Sequence, residues 1–124
     1  MPFPLYPLAP SPQMSTVICL GEVLFDLLVN ESGVSSEDVK SWSPLPGGAP
    51  VNVACTLATM GDRSRFIGCE GNDDAGLKLV AKLANEGVDL TEIQHHPTAP
   101  TRQVYVVSTR DGDRVVPNYI HTSN

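Results

Sequence analysis

Pro46-Gly47-Gly48-Ala49-Pro50-Val51-Asn52-Val53-Ala54 is the stretch that decides the fold. Gly47 and Gly48 carry no Cβ, so the backbone there can approach a ligand closely or take positive φ. Pro50 suits the first turn of a helix, where its missing N–H costs nothing. The open N–H groups of such a turn favour polar or anionic ligands, and Asn52 adds a donor and an acceptor within it. The stretch reads either as a polyol-binding corner or as a tight turn ahead of a buried helix. Both readings place a helix from about Pro50 to Met60, stopped by Gly61. Val51, Ala54, Cys55 and Ala58 fall at helical spacing and give it a narrow packing face.

Upstream, Thr16 to Leu20 is a β-branched apolar run ending at Gly21, the pattern of a buried strand. Glu22-Val-Leu-Phe-Asp26-Leu-Leu-Val29 is a second strand-like run. An acid among so many apolar neighbours is costly unless something pairs with it. Asp26 is therefore a candidate ligand for hydroxyls, with a solvated strand-end residue as the alternative. Residues 30 to 45 are polar and turn-rich, and contain the single tryptophan, Trp42.

Downstream, Ser64 to Cys69 reads as a strand. Asn72 or Asp73 can cap a second helix with the face Leu77, Val80, Ala81 and Ala84, ended by Gly87. Strand, helix, strand, helix in this order predicts an α/β fold with βαβ connections and a parallel sheet. Past Thr91 come a turn at Thr98-Ala-Pro-Thr101 and a strand over Gln103 to Thr109. Asp111-Gly112 then signals a hairpin, returning over Arg114 to Tyr119 despite Pro117. Tyr105 would face either core or ligand there. His95 and His96 are adjacent, so on a strand they point to opposite faces and do not share a metal; they read as surface residues near a turn.

The totals bound the function. A chain of 124 residues is one domain at most. Its hydrophobic content of 41% and charged content of 18% fit a globular protein. A net charge of −6 argues against nucleic acid and anionic membrane as partners. The most apolar stretch, Val17 to Val29, is broken by Glu22 and Asp26 and is too short to span a bilayer. Residues 1–15 hold five prolines and read as a flexible tail, leaving 16–124 as the folded unit. The tail has no Lys or Arg, which argues against secretory and transit peptides, and Met14 offers an alternative start. Cys19, Cys55 and Cys69 are odd in number and without a framework, which suits free thiols in a reducing compartment. That compartment is the cytoplasm, with a plastid as the alternative. No pair has zinc-type spacing. No G-x-x-x-x-G-K-[ST] loop, G-x-G-x-x-G fingerprint or nucleophile elbow is present. Gly68, Gly71, Asn72 and Asp73 read as a structural turn.

Gly47-Gly48-Ala49-Pro50-Val51-Asn52-Val53-Ala54, followed at fixed spacing by Gly61 and Gly71, resembles the first signature of the PfkB family of ribokinase-like carbohydrate kinases. Gly21-Glu22-Val-Leu-Phe-Asp26 resembles the family's opening strand motif, and Gly71-Asn-Asp-Asp-Ala-Gly76 the turn before its next helix. Pro97-Thr-Ala-Pro-Thr101-Arg-Gln-Val-Tyr105 and Asp111-Gly-Asp-Arg114 resemble the following hairpin. The likeness runs from Val17 to about Val116 and is strongest to the fructokinase branch.

The resemblance implies a mostly parallel central sheet between helices, with a small β lid over the sugar and the C-terminal half absent. Trp42 and the Gln103 to Tyr119 hairpin would belong to or adjoin that lid. It implies transfer of the ATP γ-phosphoryl group to a sugar hydroxyl with Mg²⁺, fructose being the favoured acceptor. Asp26, Gly47, Gly48 and Asn52 match the family's sugar-binding positions, and Tyr105 is a further candidate for the sugar wall. The family's second signature carries a Gly-Ala-Gly-Asp-like turn with the catalytic base and anion hole, and these residues contain no match to it. Most of the ATP site lies in the same missing part. The expectation is a sugar corner without phosphoryl machinery, inactive alone. The alternative is a non-catalytic sugar-binding or subunit-pairing module, dimerising through the lid sheet.

Overall fold

The structure, a computed structural model, describes residues 15–108 and 114–115. Strand β1 (Thr16–Leu20) leads into β2 (Leu24–Val29), a short 3-10 turn (Ser36–Asp38), β3 (Trp42–Gly47) and helix α1 (Ala49–Thr59). Then come β4 (Arg63–Ile67), β5 (Cys69–Gly71), helix α2 (Asp74–Asn85), β6 (Gln94–His96), β7 (Gln103–Ser108) and β8 (Arg114–Val115). β1 and β4 pair in parallel from Thr16↔Arg63 to Leu20↔Ile67, so the parallel sheet expected from the element order is present. A separate four-stranded sheet has the order β3-β2-β7-β8, and β5 pairs with β6.

The core forms where the two strands meet the two helices. Cys19 and Phe66 lie opposite one another in register and point to one face of the β1–β4 pair. Against them pack Val51 and Ala54 from α1 and Leu79 and Leu83 from α2, with Val88 beyond. Burying each of the larger side chains stabilises the fold by roughly 1.5–3 kcal/mol. The buried Ser64 hydroxyl donates to the Ala54 carbonyl at 2.8 Å, fixing α1 on the sheet. The face expected for α1 is the one that packs.

In α2 the expected face is wrong. Gly76, Leu79 and Leu83 are buried, while Leu77 is 63% exposed and Ala81 and Ala84 face solvent. The sequence offers two apolar stripes one residue apart. Gly76 selects between them, because a Cβ there would run into the Glu70 carboxylate and the Gly71 carbonyl. The expected cap holds: the Asp73 carboxylate accepts from the Gly76 N–H at 2.8 Å.

Three strands escaped the sequence pattern: the run read as one strand over Ser64 to Cys69 breaks at Gly68 into β4 and β5, and β3 and β6 were not expected. β3 reads Trp-Ser-Pro-Leu-Pro-Gly, with prolines that hide its strand character, and it lies at the edge of its sheet, where proline is tolerated. β6 is three residues long. The expected β7–β8 hairpin is present in the register Val107↔Val115. The Asp111-Gly112 turn and the return past Val115 lie outside the described residues. So does the tail, apart from Ser15.

Candidate functional site

Directly paired residues on neighbouring strands point to the same side of a sheet, so register divides the four-stranded sheet into two faces. One carries Asp26, Leu45, Gly47 and Val104; the other carries Phe25, Leu27, Trp42, Pro44, Gln103 and Tyr105. The first contains the predicted acid. β3 returns beside β2 so that Gly47 lies against the Asp26 side chain, and a Cβ on Gly47 would sit 2.8 Å from Asp26 Cγ. Gly47 is glycine because the carboxylate occupies that space.

Gly48 follows at φ +106 and is the N-cap of α1, with no side-chain cap of its own. A Cβ there would meet the Glu22 carbonyl at 2.5 Å. The turn therefore needs glycine both for its dihedral and for its closeness to the end of β1. The Asn52 N–H donates to Gly48 O at 3.0 Å, the first helical bond. Open N–H groups thus remain in the first turn, at the positive end of the helix dipole. Asp26, Gly47 and Gly48 are brought together at the root of α1. Asn52 is one turn into the helix, exposed, and borders a shallow groove of about 280 Å³ with Val53, Thr56 and Leu57.

Tyr105 is not brought to this group. Its ring packs edge-on against Trp42, centroids 4.9 Å apart and planes at 78°, on the opposite face of the sheet. The cleft of about 550 Å³ between this sheet and α2 is also on that side, lined by Phe25, Leu27, Pro44 and Gln103 with Lys78 and Lys82. It does not touch Asp26.

A polar cluster that sequence reasoning missed lies at the N-terminal end of α2. Glu70 is buried on β5 and pairs with Nδ1 of its register partner His95 on β6. Thr101, also buried, accepts from the Gly71 N–H at 3.0 Å and donates its hydroxyl to Asp73 Oδ1 at 2.6 Å. Burial pushes the Asp73 carboxyl up, but the hydrogen bonds from Thr101 and Gly76 outweigh it and hold the carboxyl below its usual value. His95 and His96 do point apart: His96 Nδ1 accepts from the N–H groups of Thr98 and Ala99. The available signal was an acid, Glu70, directly after the strand-like run Ser64 to Cys69, close to the signal that singled out Asp26. The Gly71–Asp73 turn is structural in this arrangement.

Nearer the root of the sheet, Arg102 pairs with Glu22 at 2.6 Å, and the Phe25 N–H donates to Arg102 O at 3.0 Å. These contacts join the two points where chain passes from the α/β body into the four-stranded sheet. Among the described residues no group of three His, Cys, Asp or Glu side chains is placed to hold a metal ion. No described helix is long and apolar enough to cross a membrane.

Similarity to known proteins follows the same outline. Residues 14–123 match the model of the pfkB family carbohydrate kinase. Over 98 residues the chain is 38% identical to "Probable fructokinase-6, chloroplastic" of Arabidopsis thaliana, covering 79% of this chain and 26% of that protein. The fructokinase of Xylella fastidiosa superposes with a TM-score of 0.73 at 32% identity, over 86% of this chain and 33% of its own. A sugar kinase of Pyrococcus horikoshii in complex with ATP superposes with a TM-score of 0.73 at 32% identity, over 82% of this chain and 34% of its own. The chain therefore spans about a third or less of the length of the proteins it resembles.

Proposed function

Because the chain belongs to the pfkB family of carbohydrate kinases, we propose that it carries the sugar-binding corner of an ATP-dependent fructokinase and not the machinery of phosphoryl transfer. The observation that supports this reading is the packing of Asp26 against Gly47 at the root of α1. A sugar needs acceptors and donors in fixed directions. Asp26 would accept from ring hydroxyls, Gly47 and Gly48 would let the ring come close to the backbone, and Asn52 would supply both a donor and an acceptor. The sheet face around Leu45 and Val104 would wall the sugar from water. Tyr105 has no part in this arrangement.

Fructose is the proposed acceptor, since curated relatives carry the name fructokinase. ATP is the proposed phosphoryl donor in the complete enzyme. Transfer depends on in-line positioning and on charge stabilisation of the moving group. A base to take the hydroxyl proton and donors for the anion are the parts this chain lacks in our reading. The cytoplasm is the proposed compartment, with a plastid as the alternative.

The test is calorimetric titration of the 124-residue chain with fructose, beside a coupled assay for ADP release. The expected result is saturable fructose binding with no phosphorylation above background. A folded chain that takes up no fructose would overturn the sugar corner, and turnover would overturn the missing machinery.

A further inference from the structure

The cleft of about 550 Å³ on the far face of the four-stranded sheet has no part in the sugar reading. Its floor is flat: Phe25, Leu27, Pro44 and Gln103 share one side of the sheet, in the register pairs Phe25↔Gln103 and Leu27↔Pro44. Its wall is one stripe of α2, where Ala75 and Ala81 are short side chains facing that floor. The gap they leave is a slot. Lys82 ties the helix to the sheet edge across it, its Nζ donating to Pro44 O at 3.1 Å and standing 5.8 Å from the centre of the Phe25 ring. Lys78, one turn earlier on the same wall, is exposed. Neither ammonium is ion-paired among the described residues. Asp74 also borders the slot, but it stands in the first turn of α2, where its charge complements the helix dipole. In a chain of net charge −6 this is a locally cationic place.

We propose that this slot binds a small planar aromatic anion carrying one negative charge, at a site separate from the sugar corner. Size, lining and charge each select that class. The volume lies in the range of small-molecule pockets, which share an apolar lining with a few placed polar groups. A flat floor facing an alanine stripe suits a ring system. A polyol would find only the Gln103 amide on that floor, and most of its hydroxyls would be buried without partners. Two ammoniums against one carboxylate favour a single negative charge over the cluster carried by a nucleotide. The Lys82 ammonium, already beside the Phe25 ring, would also meet the face of the bound ring. The inference rests on the slot and not on the sugar reading, so its failure leaves that reading untouched.

The probe is the dye anilinonaphthalenesulfonate, whose emission rises as its rings leave water, with phenylnaphthylamine as the same ring system lacking the sulfonate. Titrated into the full 124-residue chain, the dye should saturate at one site per chain and bind at least tenfold tighter than the amine. Lys78→Glu alters an exposed residue. It should retain the circular dichroism and weaken the dye at least tenfold, while moving the amine by less than twofold. Ala81→Phe, also at an exposed position, fills the slot and should weaken both. Naphthoate should compete with the dye, and saturating fructose should leave it bound. Equal affinity for dye and amine would overturn the anion assignment. Binding indifferent to both variants would overturn the site, as would uptake at several weak sites of the kind loosely packed states offer. Displacement by fructose would overturn it as well, by placing the dye on the Asp26 face.

Discussion

Both carboxylate oxygens of Asp73 are turned to Thr101: Oδ2 accepts from its backbone N–H at 2.8 Å and Oδ1 from its hydroxyl at 2.6 Å. Asp73 caps α2, and Thr101 lies two residues before β7. The pair therefore fastens the four-stranded sheet to the helical body at one buried point. The same hydroxyl accepts from the Gly71 N–H. Thr101→Val keeps the shape and removes the hydroxyl's bonds to Asp73 Oδ1 and the Gly71 N–H, leaving that buried N–H without an acceptor. A loss of about 1–3 kcal/mol in urea unfolding is expected, with Thr101→Ser restoring most of it.

The same bonds predict an acid response. The folded Asp73 carboxyl is held below the usual aspartate value by the bonds from Thr101 and Gly76. Asp89 is lowered to about 2 by the Thr91 N–H and hydroxyl and by Arg65. A depressed folded pKa gives stability that is present above the unfolded value and lost as pH falls through the folded one. Unfolding midpoints measured from pH 6 downward should stay level until about pH 4 and then fall toward pH 2. Asp73→Asn should start lower at pH 6 and fall less steeply.

Glu70 and His95 give an asymmetric prediction. The Glu70 side chain is fully buried, and its partner His95 is about half exposed. Removing the imidazole leaves a buried carboxylate oxygen short of its hydrogen-bond partner, whereas changing the acid to a neutral amide does not. His95→Ala should cost about 1–3 kcal/mol, and Glu70→Gln distinctly less. Equal losses in thermal melts of the two variants would contradict this account.

What could be read without coordinates followed the periodicity. β1, α1, β4 and the strand at β7 came from apolar runs bounded by glycine, and Gly47, Gly48 and Asp26 were singled out by backbone freedom and by an acid in an apolar run. What escaped was set by contacts distant in sequence. Proline hid β3 because its position at a sheet edge is a tertiary fact. The Glu70–His95 and Asp73–Thr101 pairs join residues 25 and 28 positions apart, a separation no local pattern reports. Tyr105 could face core or ligand until the β2–β7 register set it beside Leu27 and away from Asp26.

The phase of α2 is open to direct measurement. Leu79 is fully buried and Leu77 largely exposed, although the two differ by only two positions in the sequence. Leu79→Ala should cost about 2–5 kcal/mol. Leu77→Ala, on the solvent side, should stay within about 0.5 kcal/mol. Denaturant midpoints of the two variants separate the observed stripe from the one the sequence suggested.

The two faces of the four-stranded sheet make the sharpest test of the sugar corner. Asp26→Asn keeps the volume beside Gly47 but removes the negative charge that would strengthen bonds from sugar hydroxyls. Charge-assisted bonds are roughly twice as strong as neutral ones, so fructose affinity should fall by about tenfold or more, a change of about 1.4 kcal/mol. Tyr105→Leu acts on the other face. It removes the edge-on contact with Trp42 and should lower stability by about 0.5–1.5 kcal/mol, while fructose affinity stays within about twofold, since the altered ring lies across the sheet from Asp26. Calorimetric titration of both variants, each paired with a denaturation curve, separates binding from folding. If Tyr105→Leu weakened fructose as much as Asp26→Asn, the sugar would have to sit on the Trp42 side of the sheet.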